Sequence, residues 1–99
     1  MADAHPTTTT TDPLLEYVTS QGCADCRAFE TLVDRVGADY PTVEVRAVAA
    51  DSVRGIALSL GRGILRFPII VLDDEVLAIE SIAETDLRAA LAARSGARR

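Results

Sequence analysis

Apolar and polar positions along the 99-residue chain follow several different periods, and each change of period marks an element. In "LLEYVT", Leu14 to Thr19, β-forming residues cluster without a helical repeat, which predicts a strand ending near Ser20-Gln21-Gly22. Phe29, Leu32, Val33, Val36 and Tyr40 then recur at helical spacing, the apolar stripe of a helix over about 24–38 that Gly37 and Pro41 terminate. "TVEVRAVA", 42–49, alternates Val43, Val45 and Ala47 against Glu44 and Arg46, the period of a second strand. Asp51 or Ser52 caps a short helix whose Val53, Ile56, Ala57 and Leu60 share one face, with Gly61 or Gly63 at its end. "FPIIVL", 67–72, and "EVLAI", 75–79, are apolar runs of strand length separated only by Asp73-Asp74, which implies an antiparallel hairpin. Ser81 and Glu84 stand at capping-box spacing, with Thr85 as an alternative cap, before a last helix carrying Leu87, Ala90 and Leu91. Gly96 is expected beyond its end.

The resulting order, β-α-β-α-β-β-α, is of the α/β class. A helical crossover between the first two strands predicts parallel pairing, and the hairpin adds an antiparallel strand. A four-stranded mixed sheet with helices on both faces follows. Residues 1–12, with the run Thr7 to Thr11, read as a disordered N-terminal tail, 13–95 as one domain and 96–99 as a C-terminal tail. His5, the one histidine, lies in the first tail as a bystander.

Composition narrows the function classes. Hydrophobic residues make up 48% of the chain, but the aromatics are only Tyr17, Phe29, Tyr40 and Phe67, so the core must be mainly Val, Ile, Leu and Ala. A net charge of −5 argues against nucleic acid or an anionic membrane as partner. No apolar run approaches the roughly 18 residues of a membrane span. "MADAHPTTTTTDP" lacks the basic and apolar parts of a signal peptide, so a cytoplasmic location is expected. With no spare hydrophobic stripe, a monomer is expected as well.

The candidate chemistry lies in "QGCADCRAF", which holds both cysteines, Cys23 and Cys26, directly after the first strand. A structural bridge closing so short a loop would stabilise the fold by only about 2 kcal/mol. Redox and metal roles fit the spacing better in a reducing compartment. Within a regular helix, residues at i and i+3 have Cβ atoms about 5–6 Å apart, whereas a disulfide wants about 3.5–4.5 Å. The pair closes easily if Cys23 stands outside the helix, and Gly22 permits the sharp turn this needs. At the helix N-terminus, unpaired N–H groups and the macrodipole stabilise a thiolate, making Cys23 the nucleophile and Cys26 the resolving thiol. Asp25 would oppose that ionisation, or serve simply as a first-turn helix acid, while Arg27 and Arg66 would favour it. Two thiolates also suit Cu(I), but a structural zinc site wants about four ligands and the chain has two cysteines and His5.

With these features the chain resembles the thioredoxin-fold family, in particular its small thioredoxin- and glutaredoxin-like proteins with a CxxC motif. The likeness spans residues 14 to 94: a strand followed by "GCADC" opening a helix, then "GILRFPIIVL" with Gly63, Ile64 and Pro68 in matching places, then a closing hairpin and helix. It implies a cis Phe67–Pro68 bond facing the cysteines, with Cys23, Cys26 and Pro68 as catalytic residues. It also implies Phe67, Arg66 and Gly22 as substrate-binding residues, and a proline that keeps metals from the thiols. The implied activity is that of a dithiol-disulfide oxidoreductase, without a cofactor, acting on a disulfide-containing protein. Electrons would come from a thioredoxin-reductase-like or glutathione-based donor. The chain departs from the family pattern at Gln21-Gly22, which replaces a Trp-containing approach, at Ala24-Asp25 inside the motif, at Ile69, and at Tyr17, which stands where thioredoxins carry a buried acid. Glu16 is expected on the opposite face of the strand. Two other readings remain: a redox-inactive binding module that docks a protein through Arg62, Arg66 and the Phe-Pro platform, and a thiolate metal-delivery protein.

Overall fold

A computed structural model describes residues 12–96. The tail predicted over 1–12 lies outside the described residues except for Asp12, and so do His5, the Thr run and residues 97–99. The elements are β1 (Leu14–Thr19), α1 (Ala24–Gly37), β2 (Glu44–Ala49), α2 (Val53–Leu58), a 3-10 turn at Leu60–Arg62, β3 (Ile69–Leu72), β4 (Glu75–Ile79) and α3 (Glu84–Gly96). They form a four-stranded sheet in the order β2-β1-β3-β4. β1 and β2 run parallel, and β3 is antiparallel to both of its neighbours. The α/β architecture expected from the sequence is therefore present, with helices on both faces.

The alternation of side chains along β1 divides the core in two. Leu15 and Tyr17, with Ile70 and Leu72 of β3, pack against Phe29, Val33 and Val36 of α1 and Leu87 and Leu91 of α3. On the opposite face, Val18, Val48, Ile69 and Val71 pack against Leu58 of α2, with the half-buried Ile64 and Phe67 beside them. The hairpin closes through a two-residue turn in which Asp73 and Asp74 both take positive φ, 49° and 71°, the backbone that matches strand twist. Arg94 of α3 clamps that turn through Asp73 and Glu75.

Four expectations are corrected. β3 begins at Ile69, not Phe67, because Pro68 has no N–H to give to a ladder. In β2 the alternation does not sort burial as expected: Val43 is buried just before the strand, Val45 and Ala47 are exposed, and Val48 is buried on the other face. The stripe predicted to bury α2 points outward. Val53 is 88% exposed, Leu60 62% and Ile56 44%, while Gly55 and Leu58 turn inward. Gly55 dictates this, since a Cβ there would collide with the Ala49 carbonyl at the end of β2. The helix lies against the strand end on its smallest residue, capped by Ser52, whose Oγ accepts from the Gly55 N–H at 2.9 Å.

The last correction concerns α3, which starts at Glu84 and runs through Gly96, so no Ser81–Glu84 box forms. Glu84 instead accepts from Arg35 Nη2 at 2.8 Å and Arg88 Nε at 2.9 Å, tying α3 to α1. These arginines, Arg35 first, hold its carboxyl below the usual carboxylate range.

One charged residue is inside the sheet. Glu16, 2% exposed on the α2 face of β1, accepts two bonds from Arg54, at 3.0 Å from Nε and 2.7 Å from Nη2. The bidentate pair raises the Arg54 guanidinium above its ordinary value, chiefly through the Glu16 hydrogen bonds. Arg54→Ala would leave a carboxylate buried without its partner and should destabilise the chain by about 3 kcal/mol. Glu16→Leu combined with Arg54→Ala should recover most of that loss. Urea midpoints of the two variants check this, and equal midpoints would show that burial of the lone carboxylate costs nothing.

Candidate active site

The buried stripe of α1 aims the N-terminus of that helix at the loop after β1. Gly22, at φ +69°, makes the turn into it. Cys23 is then the N-cap, with extended backbone at φ −94° and ψ 104°, and Cys26 sits one turn in. The two are joined by a disulfide with Cα atoms 5.2 Å apart. Cys23 Sγ accepts a hydrogen bond from the Cys26 backbone N–H at 3.0 Å, the place an N-cap oxygen normally holds. It also lies 3.7 Å from the Phe67 carbonyl oxygen. Cys26 is 3% exposed, whereas Cys23 is only half-buried.

Across from the pair runs the segment Gly63 to Pro68. Gly63 takes φ +73°, closing the 3-10 turn, and the Phe67–Pro68 peptide bond is cis. The Pro68 carbonyl accepts from the Glu80 N–H at 2.8 Å, which fastens this segment to the end of β4. Glu80 is a functional neighbour that sequence reasoning missed. It is a non-glycine residue at φ +76°, and no local sequence signal distinguishes it. Its carboxylate faces Arg66 at 3.4 Å. Two depressions flank it. A groove of about 100 Å³ is walled by Asp25, Phe29 and Leu32 on one side and Ser81 and Ile82 on the other. A hollow of about 450 Å³ lies between Ile64, Leu65 and Arg66 and the end of β4 at Ile79.

The candidate residues thus fall into two groups. Cys23, Cys26, Gly22, Phe67 and Pro68 come together. Asp25 is exposed on the groove wall, Arg27 is exposed on α1, and Arg66 is taken up by Glu80. Arg62, offered as a docking residue, is paired with Asp74 at 3.1 Å. Tyr17 packs edge-on against Phe29 with ring centroids 5.2 Å apart and donates to Glu30 at 3.3 Å. Burial, with Glu30 and Asp34 nearby, pushes its phenol above the ordinary value, so it stays a neutral donor. Among the described residues no three His, Cys, Asp or Glu side chains converge as a metal site. Among the same described residues no helix is long and apolar enough to cross a membrane.

Thioredoxin from Fasciola hepatica superposes with a TM-score of 0.64 at 19% identity, covering 89% of this chain and 86% of that one. The N21Q mutant thioredoxin of Halobacterium salinarum gives 0.66 at 21%, covering 89% and 79%. This chain has the thioredoxin fold. An uncharacterised thioredoxin-like protein from Clostridium perfringens, at 12% identity and a TM-score of 0.68, covers 85% of this chain and 71% of its own. No family model matches the sequence, and no curated protein matches it. At these identities the likeness establishes the thioredoxin fold, and the residues around Cys23 must carry any statement about chemistry.

Gly22 offers a local test. A Cβ there meets nothing within 4 Å, so Gly22→Ala isolates the cost of positive φ, expected at about 1 kcal/mol in urea unfolding. A neutral result would mean that the turn into α1 does not require this conformation.

Proposed function

We propose that the chain is a dithiol-disulfide oxidoreductase in which Cys23 attacks and Cys26 resolves. The observation that carries this reading is the Cys26 N–H donated to Cys23 Sγ at the helix N-terminus. That bond and the aligned helix dipole favour negative charge on Cys23 sulfur, both when it attacks and when it is expelled. In the forward direction the Cys23 thiolate attacks one sulfur of a substrate disulfide. The S–S bond of the substrate breaks, its first thiolate leaves, and a mixed disulfide forms. Cys26, losing its proton, then attacks Cys23 sulfur. The Cys23–Cys26 bond forms, the second substrate thiolate leaves, and two electrons have passed to the substrate.

The neighbouring segment supports the same reading. Backbone at Phe67, with its carbonyl close to Cys23, suits pairing with an extended stretch of a substrate protein, and Pro68 covers the thiols against metals. Arg66 and Gly22 border this surface. A reducing compartment such as the cytoplasm suits the chemistry, with a flavoprotein reductase or glutathione resetting the pair. No cofactor within the chain is needed.

Reduction of a protein disulfide, driven by dithiothreitol and followed by turbidity or mass, tests the proposal. The wild type should accelerate it, and Cys23→Ser should lose that acceleration by on the order of 100-fold or more. Cys26→Ser should retain the first attack and accumulate a mixed disulfide at Cys23, visible as an adduct mass. Activity that survives Cys23→Ser would contradict the assignment.

A further inference from the structure

The order β2-β1-β3-β4 leaves β2 at an edge, and among the described residues no strand pairs with its outer side. Its backbone alternation is fixed by β1. The Glu44 N–H donates to the Pro13 carbonyl at 2.9 Å and the Ala50 N–H to the Thr19 carbonyl at 2.8 Å. In the parallel register between them, Arg46 and Val48 also face β1. Val45 and Ala47 therefore turn their N–H and C=O groups outward. Both side chains are exposed, Val45 by 39%.

Edge strands are commonly protected by charge, which makes pairing with another strand unfavourable. Here the two charges on β2 have opposite sign and sit two residues apart on one face. Glu44 and Arg46 pair with each other at 2.6 Å, and both are more than half exposed. We propose that β2 pairs antiparallel with β2 of a second copy, about a two-fold axis through Val45, joining the two sheets edge to edge.

The charges select this register. With the axis at Val45, Glu44 stands opposite Arg46 of the second copy at the non-hydrogen-bonded positions, where cross-strand side chains approach most closely, and symmetry repeats the pair. Moving the axis one residue either way brings Glu44 to Glu44 or Arg46 to Arg46, a like-charge contact. In the selected register the two Val45 residues exchange both backbone bonds, and each Ala47 N–H faces the Val43 carbonyl of the other copy. The Val43 N–H is already donated to the Tyr40 carbonyl at 2.9 Å, so the ladder is short. The pairing is accordingly one that forms at high protein concentration. It departs from the monomer expected from the sequence and is independent of the redox chemistry.

Sedimentation equilibrium of the full chain, from micromolar to millimolar concentration, tests it. The expected mass rises toward twice 10.5 kDa. Arg46→Glu should weaken association by about tenfold or more, because symmetry places two like-charge pairs at the interface. The double reversal Glu44→Arg with Arg46→Glu should restore it, since the reversed strand is again self-complementary. A wild type that stays monomeric throughout, or a dimer that Arg46→Glu leaves intact, would overturn the proposal.

Discussion

Burial of one stripe of α1 determines where the Cys23 sulfur stands. Phe29, Val33 and Val36 are held against Leu15 and Tyr17 of β1, so the helix cannot slide or rotate without exposing apolar surface. That fixes its first turn at the end of β1, where Gly22 allows the reversal and Cys23 becomes the cap. The proposed chemistry follows from that position. Unpaired N–H groups at a helix start need an acceptor, and here the acceptor is a sulfur rather than a hydroxyl or carboxylate oxygen. In the proposed mechanism capping and activation are therefore the same interaction.

The second half of the site depends on the opposite face of the sheet. Ile64 and Phe67 are anchored beside Val18 and Ile69, and the Pro68 carbonyl is tied to the Glu80 N–H. The Phe67 carbonyl is thereby held near Cys23 by a segment that contributes little regular structure of its own. α2 steadies this face with few apolar contacts, because Gly55 rather than a larger residue meets β2. The Glu16–Arg54 pair fastens the same helix to the central strand, and Arg54 reaches on to Asp74 in the hairpin turn. A buried ion pair is a weak source of net stability, but it fixes orientation, because any other placement of Arg54 leaves Glu16 unpaired.

Much of the fold was legible in the sequence. The stripes from Phe29 to Val36 and from Leu87 to Leu91 each had one dominant period, the Asp73-Asp74 hairpin had two apolar runs with a two-residue connection, and each forms as expected. Apart from the start of β3, which Pro68 sets locally, the failures share a cause: tertiary contact outweighed local pattern. In α2 the apolar positions Val53, Ile56 and Leu60 read as a core face, yet backbone contact at Gly55 set the rotation of the helix. At Glu84 an arginine distant in sequence, Arg35 of α1, together with Arg88 one turn further along α3, displaced a local cap. The pairing of Cys23 with Cys26 at a helix start could be read from Gly22 and the spacing. The place of Glu80 could not, since it depends on a carbonyl twelve residues away and on an unusual backbone angle. The free edge of β2 was likewise invisible until strand order was known.

In the proposed function Cys23 and Cys26 form a reversible two-electron couple. Equilibration of the purified chain across dithiothreitol redox buffers, with the loss of two hydrogens from the pair read by mass, measures it directly. One reversible transition is expected, with a slope of about 30 mV per tenfold change in the reduced-to-oxidised ratio and a midpoint in the reducing range of roughly −200 to −300 mV. Absence of an intramolecular disulfide at any poise would contradict it.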